Sequence, residues 1–292
     1  MDGTVAITSD QLAAEIAAKG AELRRLETRE GKDLQWDGDP AFWTGRAPIL
    51  FPVIGLLNGG HYRLDGRSIA MTKHGFARDL TFDLAARAAD SVTFRLDAND
   101  KTRAMYPFEF SLEVAYRLDG TRLDIEAIIS NRDGKPMPAS FGFHPALRWP
   151  LPFGKARAEH RILFDQDEPE PIRRIDADGL LILDRLPTPV DGRTLRLLDD
   201  LFVDDALIFD RVRSRRVLYG AEDSPQIAVS FADFSVLGVW TKPGSGFICI
   251  EPWAGLPDPE GFDGALADKP RAFVVDAGQS RRLGMSIELL PG

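Results

Sequence analysis

Apolar and polar residues alternate with a period of two over long stretches of the chain. Between residues 108 and 118, Phe108, Phe110, Leu112, Val114, Tyr116 and Leu118 fall on one side, while Glu109, Ser111, Glu113 and Arg117 mostly take the other. Successive side chains of a strand point to opposite faces, so this pattern predicts a half-buried strand. Asp119-Gly120 follows, a dipeptide suited to the positive φ of a tight hairpin, and then Leu123, Ile125, Ala127 and Ile129 alternate in turn. The same period recurs at Val92-Phe94-Leu96, Ile227-Val229-Phe231, 236–240, 247–250, Phe273-Val275 and Leu283-Met285-Ile287-Leu289. Many strands separated by Gly, Pro and Asp turns predict an all-β fold, a large antiparallel sandwich with few short helices.

Residues 10–26 conflict with this picture. They are rich in Ala, Glu, Leu and Arg behind a Ser9-Asp10 start, which by propensity reads as a capped helix. Yet Leu12, Ala14 and Ile16 also alternate and Gly20 interrupts the run, which favours two short strands broken by a turn over the helix. Residues 165–191 are turn-rich and read as a long excursion over the surface. No composition shift, low-complexity tract or Pro-rich linker divides the chain, so residues 1–292 are expected to form a single domain.

Composition narrows the class of partner. With 44% hydrophobic and 28% charged residues the chain has the make-up of an ordinary globular protein able to bury a core without staples. Its 36 basic and 45 acidic residues give a net charge of −9, the wrong sign for gaining affinity by neutralising phosphate backbones, so nucleic acid is not an expected partner. Cys249 is the single cysteine, which rules out an internal disulfide framework and reads as a small buried strand residue. No basic segment followed by an apolar run opens the chain, and no run of about eighteen apolar residues occurs that could span a membrane. A cytoplasmic protein without a membrane partner is the expectation.

Several familiar catalytic devices are missing: there is no G-x-x-x-x-G-K-[ST] phosphate loop, no G-x-G-x-x-G and no G-x-S-x-G elbow. His61, His74, His144 and His160 lie far apart in sequence without zinc-site spacing, so neither a metal nor a cofactor is expected. What stands out is a set of Gly/Pro-bracketed segments at strand edges, each pairing an ionisable residue with aromatics. These are Lys73-His74-Gly75-Phe76-Ala77-Arg78, Phe141-Gly142-Phe143-His144-Pro145 and Cys249-Ile250-Glu251-Pro252-Trp253. Gly and Pro at such places let the backbone turn sharply and aim a polar side chain into a cleft mouth.

Together with Gly20-Ala21-Glu22-Leu23, with residues 47–52 (Ala-Pro-Ile-Leu-Phe-Pro) and with the continuation Ala254-Gly255-Leu256-Pro257-Asp258, the sequence resembles the galactose mutarotase family. That family comprises the aldose 1-epimerases and the related hexose-6-phosphate mutarotases. The resemblance runs over nearly the whole chain. It implies a β-supersandwich, strands rather than helix over residues 10–26, and an open, metal-free cleft that takes a monosaccharide. By position, it implies Glu251 as general base, His144 as general acid, His74 as a second histidine touching the sugar, and Arg46 as a ligand of the ring hydroxyls. Asp205 matches a sugar-binding aspartate, with Asp204 beside it as the competing assignment.

These residue types suit ring opening of a pyranose, in which a carboxylate takes the anomeric hydroxyl proton and an imidazolium supplies one to the ring oxygen. For that, Glu251 or Asp205 is expected to hold His144 in its charged form. Among the aromatics that could face the apolar side of a sugar, Trp253 stands out; Phe143, Phe76, Trp36 and Trp240 read more readily as core. Lys73 and Arg78 flank His74 and could meet a substrate phosphate, although such cations more often face solvent or pair with an acid such as Asp79. Two alternatives stay open: a non-catalytic sugar sensor of the same fold, and a glycoside hydrolase using Asp205 and Glu251. Neither the sugar nor the oligomeric state is readable from the sequence.

Overall fold

The computed structural model describes residues 3–292. The firmest hairpin forms as the alternation predicts: Phe110–Asp119 pairs antiparallel with Arg122–Asn131, and every apolar residue of the alternating set is buried. Arg122 is paired with Asp119, so the two-residue loop is Gly120-Thr121, with Gly120 at φ 54°. This hairpin lies within a nine-stranded antiparallel sheet. Its order is Thr194–Arg196, Arg161–Phe164, Arg216–Gly220, Gln226–Ser230, Ser280–Leu290, Arg122–Asn131, Phe110–Asp119, Ser91–Asp97 and Asp83–Arg87.

Residues 10–26 are strands. Leu12–Ala17 and Glu22–Thr28 pair with each other, and Thr4–Thr8 completes a three-stranded sheet. The turn between them carries Gly20 at φ 72° and Ala21 at φ 46°. Helix propensity loses here because Leu12, Ala14, Ile16, Leu23 and Leu26 all reach the main hydrophobic cluster, which a period of two allows and a helical period would not. One α-helix occurs among the described residues, Asp100–Met105, capped by the Asn99 side chain on the Lys101 and Thr102 amides.

A six-stranded sheet carries the site. Leu207–Phe209, Val236–Trp240, Phe247–Ala254, Phe141–Phe143 and Ile49–Leu50 follow one another, and Ala146–Arg148 also pairs with Phe247–Ala254. The Phe247–Ala254 strand is buried along its whole length, but its two faces serve different ends. Ile248, Ile250 and Ala254 enter the main cluster, together with Leu207, Phe209, Leu237, Val239, Phe141 and Phe143 of the neighbouring strands. The opposite face presents Phe247, Cys249, Glu251 and Trp253, placed by the same alternation beside Gly238, Trp240, Ile208 and Gly142. Strand parity thus separates the two faces of the sheet, the far one holding Glu251 among apolar and aromatic side chains.

The 165–191 excursion runs largely over the surface, as expected, but it also reaches the site. It contains no strand between Phe164 and Thr194, yet Ile172 and Leu181 are only 2% exposed. Arg173 bridges to Ile208 and Leu181 to Pro259, which ties the segment over the far face of the six-stranded sheet. Most of the segment stays at the surface, while Ile175 and Gly179 wall the cavity, Leu181 joins the cluster around Trp253 and Ile208, and Ile172 enters the main core.

Candidate active site

The far face of the six-stranded sheet holds a cavity of about 210 Å³. Lys73, His74, Arg78, His144, Asp205, Glu251, Trp253 and Trp240 line it, with Trp43, Ile175 and Ile208 as further apolar wall. Glu251 sits mid-strand opposite Gly238, whose missing side chain leaves room for the neighbouring Trp253 indole to lie flat beside the carboxyl. His144 follows the Phe141–Phe143 strand and faces the same side as Gly142, two residues earlier. The two side chains meet: Nε2 of His144 stands 3.1 Å from Oε2 of Glu251, with the residues only 8% and 1% exposed.

Three buried polar atoms at this spot lack a well-aligned hydrogen bond among the described residues: Nδ1 of His144, Nε1 of Trp253 and Oε2 of Glu251, which meets only the His144 and Trp253 rings beside it. Buried polar groups are nearly always satisfied, so three orphans converging on one cavity mark a place where a polar ligand completes the set. His74 is held differently. The Gly55 amide donates to its Nδ1 at 3.1 Å, which fixes the ring as a neutral tautomer with Nε2–H left to donate. His74 and Asp205 also take positive φ, 67° and 64°, in a region that His and Asp enter more readily than most residues and that is frequent at functional sites. Asp205 lines the cavity and Asp204 does not, because the left-handed turn at Asp205 swings its side chain inward.

Burial governs the protonation of the central pair. Desolvation pushes the His144 imidazolium down to about 3, and the positive charges of Lys73 and Arg78 act in the same direction. Glu251 is pushed well up, first by desolvation and then by the charge of Asp205, with Lys73 and the Trp253 indole opposing. His74 is pushed well below its ordinary value by burial, by His144 and by the two flanking cations. The expectation that carboxylates hold His144 charged is not met: the cost of burying a charge dominates, no carboxylate offsets it, and Asp205 acts on Glu251 instead. A single proton is shared by the pair, and it rests on the carboxyl.

The remaining expected residues divide. Trp253 lies in a slot made by two glycines, since a Cβ at Gly142 would come within 2.7 Å of its ring and one at Gly238 within 2.8 Å. Gly238→Ala should therefore displace the indole, raising KM about tenfold with a smaller change in kcat; an unchanged KM in a substrate titration would show that the indole does not contact substrate. Arg78 lines the cavity and leans on Asp79 at 3.7 Å. Lys73 is exposed at the rim, with no ion-pair partner among the described residues.

Arg46 does not reach the cavity. Its guanidinium donates to the Arg24 carbonyl and lines an adjoining hollow that shares Trp43, Pro48 and Arg78 with the site. Glu22 explains part of the 20–23 motif: its Oε1 accepts from the Arg46 and Ala47 amides at 2.9 and 3.0 Å, fixing the turn that presents Pro48. Phe76 and Phe143 are core residues, Trp36 is buried beside Phe247, and Trp240 joins the cavity wall.

Sequence reasoning missed Trp43, whose ring lies 5.0 Å from that of His144 at an interplanar angle of 32° and 5.4 Å from Trp240. It also missed Ile175 and Gly179. The only signal was the aromatic pair Phe42-Trp43 just before Gly45, in a stretch with no periodicity to place it.

Comparison with known proteins identifies the family and the fold. The family model described as aldose 1-epimerase matches residues 3–292. The chromosomal protein LacX of Lactococcus lactis is 33% identical over 282 residues, covering 93% of this chain and 94% of LacX. Among solved structures, a galactose mutarotase related enzyme from Lactobacillus acidophilus superposes with a TM-score of 0.91 at 28% identity, over 98% of this chain and 97% of that one. A galactose mutarotase-like protein from Lactobacillus casei gives 0.89 at 30% identity, over 99% and 100%.

Proposed function

The chain belongs to the aldose 1-epimerase family, and from that premise we propose that it is a mutarotase acting as one domain in the cytoplasm, interconverting the α and β anomers of a monosaccharide without a cofactor. One observation carries the reading: a carboxyl and an imidazole, both buried, meet at 3.1 Å in the wall of a cavity large enough for a polar ligand. The anomeric hydroxyl oxygen and the ring oxygen of a pyranose share one carbon, so the groups that serve them must stand side by side. In the reactive form the proton of the pair sits on His144. Glu251 takes the anomeric O–H proton, the bond from C1 to the ring oxygen breaks with its electrons going to that oxygen, and His144 protonates it. Rotation of the open-chain aldehyde and the reverse steps close the other anomer.

The other wall residues bind. His74 Nε2–H donates to a sugar oxygen, Asp205 accepts from a hydroxyl, and Trp253, Trp240, Trp43 and Ile208 cover the apolar side of the ring. The unpaired Lys73 beside Arg78 at the rim favours a second reading in which the substrate is a hexose phosphate. NMR exchange spectroscopy on anomeric mixtures of free hexoses and hexose 6-phosphates tests both: the proposal predicts accelerated exchange in one set. Sugar binding without exchange would point to a sensor, and cleavage of an aryl glycoside to a hydrolase.

Because the two resting states of the pair carry the same single proton, activity should be flat over a wide pH range. It falls in acid only when His144 gains a second proton, near the depressed value of about 3 or where the fold gives way, and in alkali only when the raised Glu251 loses the last one. Exchange rates measured across pH check this; an acid limb near the ordinary histidine value of about 6.5 would contradict it.

A further inference from the structure

Directly beneath the pair lies a group that the ring-opening chemistry does not use. Cys249 precedes Glu251 by two residues on the same face of the Phe247–Ala254 strand, opposite Ala146, and is fully buried. One ligand atom each from His144, Cys249 and Glu251 lies within 4.8 Å of the others. We propose that these three side chains form an inhibitory site for a thiophilic divalent cation such as Zn²⁺, which on binding occupies the proton-transfer pair and excludes the sugar.

The donor set is the physical ground. A thiolate, an imidazole nitrogen and a carboxylate oxygen suit zinc, whose bonds of about 2.0–2.3 Å place tetrahedral ligands roughly 3.3–3.7 Å apart. The His144–Glu251 edge is already 3.1 Å, and the sulfur edges need closing by about 1 Å at most. Oε2 of Glu251 is buried with no well-aligned donor, and Nε2 of His144 already points at it, so a metal replaces the proton between them without breaking the backbone pairing that holds either residue. The cavity supplies the fourth position for water, the arrangement of an open zinc site. Coordination releases the thiol proton, and the carboxyl proton where present, to the buffer. The ligands were invisible as a motif because more than a hundred residues separate His144 from the Cys249-x-Glu251 pair, which meet only through sheet pairing.

The inference rests on the mutarotase reading for its consequence but not for its binding event, and the test separates the two. Wild-type protein titrated with Co²⁺ should develop the near-ultraviolet thiolate-to-cobalt charge-transfer band, which Cys249→Ala and Cys249→Ser should lack. In anomer exchange, Zn²⁺ should inhibit wild type in competition with sugar while Mg²⁺ does not. Both Cys249 variants should keep the uninhibited rate and need at least about tenfold more Zn²⁺, the lower end of what losing even an outer partner costs a metal site. Absence of the cobalt band, or equal zinc sensitivity in wild type and variants, would overturn the site. Absence of exchange in wild type with the cobalt band present would overturn the mutarotase reading and leave the metal site standing.

Discussion

Glu251→Gln should lower the rate of anomer exchange by about 10²–10⁴-fold, the usual contribution of a positioned general acid or base, while making the protein more stable at neutral pH. The gain in stability follows from linkage. Glu251 has its folded value raised above the unfolded one, so the stabilising preference for the protonated folded form is complete below the unfolded value and is lost as pH rises. At pH 7 the wild-type carboxyl therefore costs stability that a neutral amide of the same shape does not. A rise in Tm of about 2–4 °C is expected, shrinking toward zero as the pH is brought down toward the ordinary carboxylate range. Thermal melts of both proteins at several pH values check it; a variant that loses activity and stability together at pH 7 would mean that Glu251 is a structural residue.

His144→Ala should lose activity on the same scale but shift stability the other way. The ring packs against Trp43 at 5.0 Å and Trp240 at 5.9 Å, and lies 5.9 Å from His74, so its removal opens a gap among aromatics. A destabilisation of about 1–3 kcal/mol is expected, too little to unfold a domain with typical reserves. Circular dichroism and sugar titration on the purified variant would separate the two effects, since the folded protein should still bind sugar through His74 and Asp205. Retention of more than a tenth of the wild-type rate would remove His144 from the chemistry.

The fold was legible in the chain wherever one face of a strand was wet. Arg122–Asn131 of the hairpin and Ser91–Asp97 alternate cleanly because one side meets the core and the other is at least partly open to solvent. Residues 10–26 carry two readable signals of opposite meaning, and burial of Leu12, Ala14 and Ile16 decided between them. The excursion over residues 165–191 gave no period because its few buried residues enter different clusters, Ile172 the main core and Leu181 the one beside Trp253.

The site divides along the same line. Glu251 and His144 stood out as ionisable residues inside otherwise apolar, Gly/Pro-bracketed runs, an expensive placement that chemistry accounts for. Arg46 carried an equally suggestive neighbourhood, but its guanidinium reaches the Arg24 carbonyl, and the motif around it exists to seat the turn on Glu22. Trp43 and the Cys249 thiol gain their places from contacts between distant segments, which no local pattern records. The protonation of His144 was misjudged because charge proximity is visible in a motif, whereas dehydration is a property of the assembled cavity.

That Glu251 and His144 share one proton and work as one unit is tested most directly by anomer-exchange rates for four proteins: wild type, Glu251→Gln, His144→Ala and the double variant. Partners in a single proton relay are not independent, so the double variant should be no slower than the slower single one. Losses that multiply in the double variant, or a wild type no faster than buffer, would contradict the account.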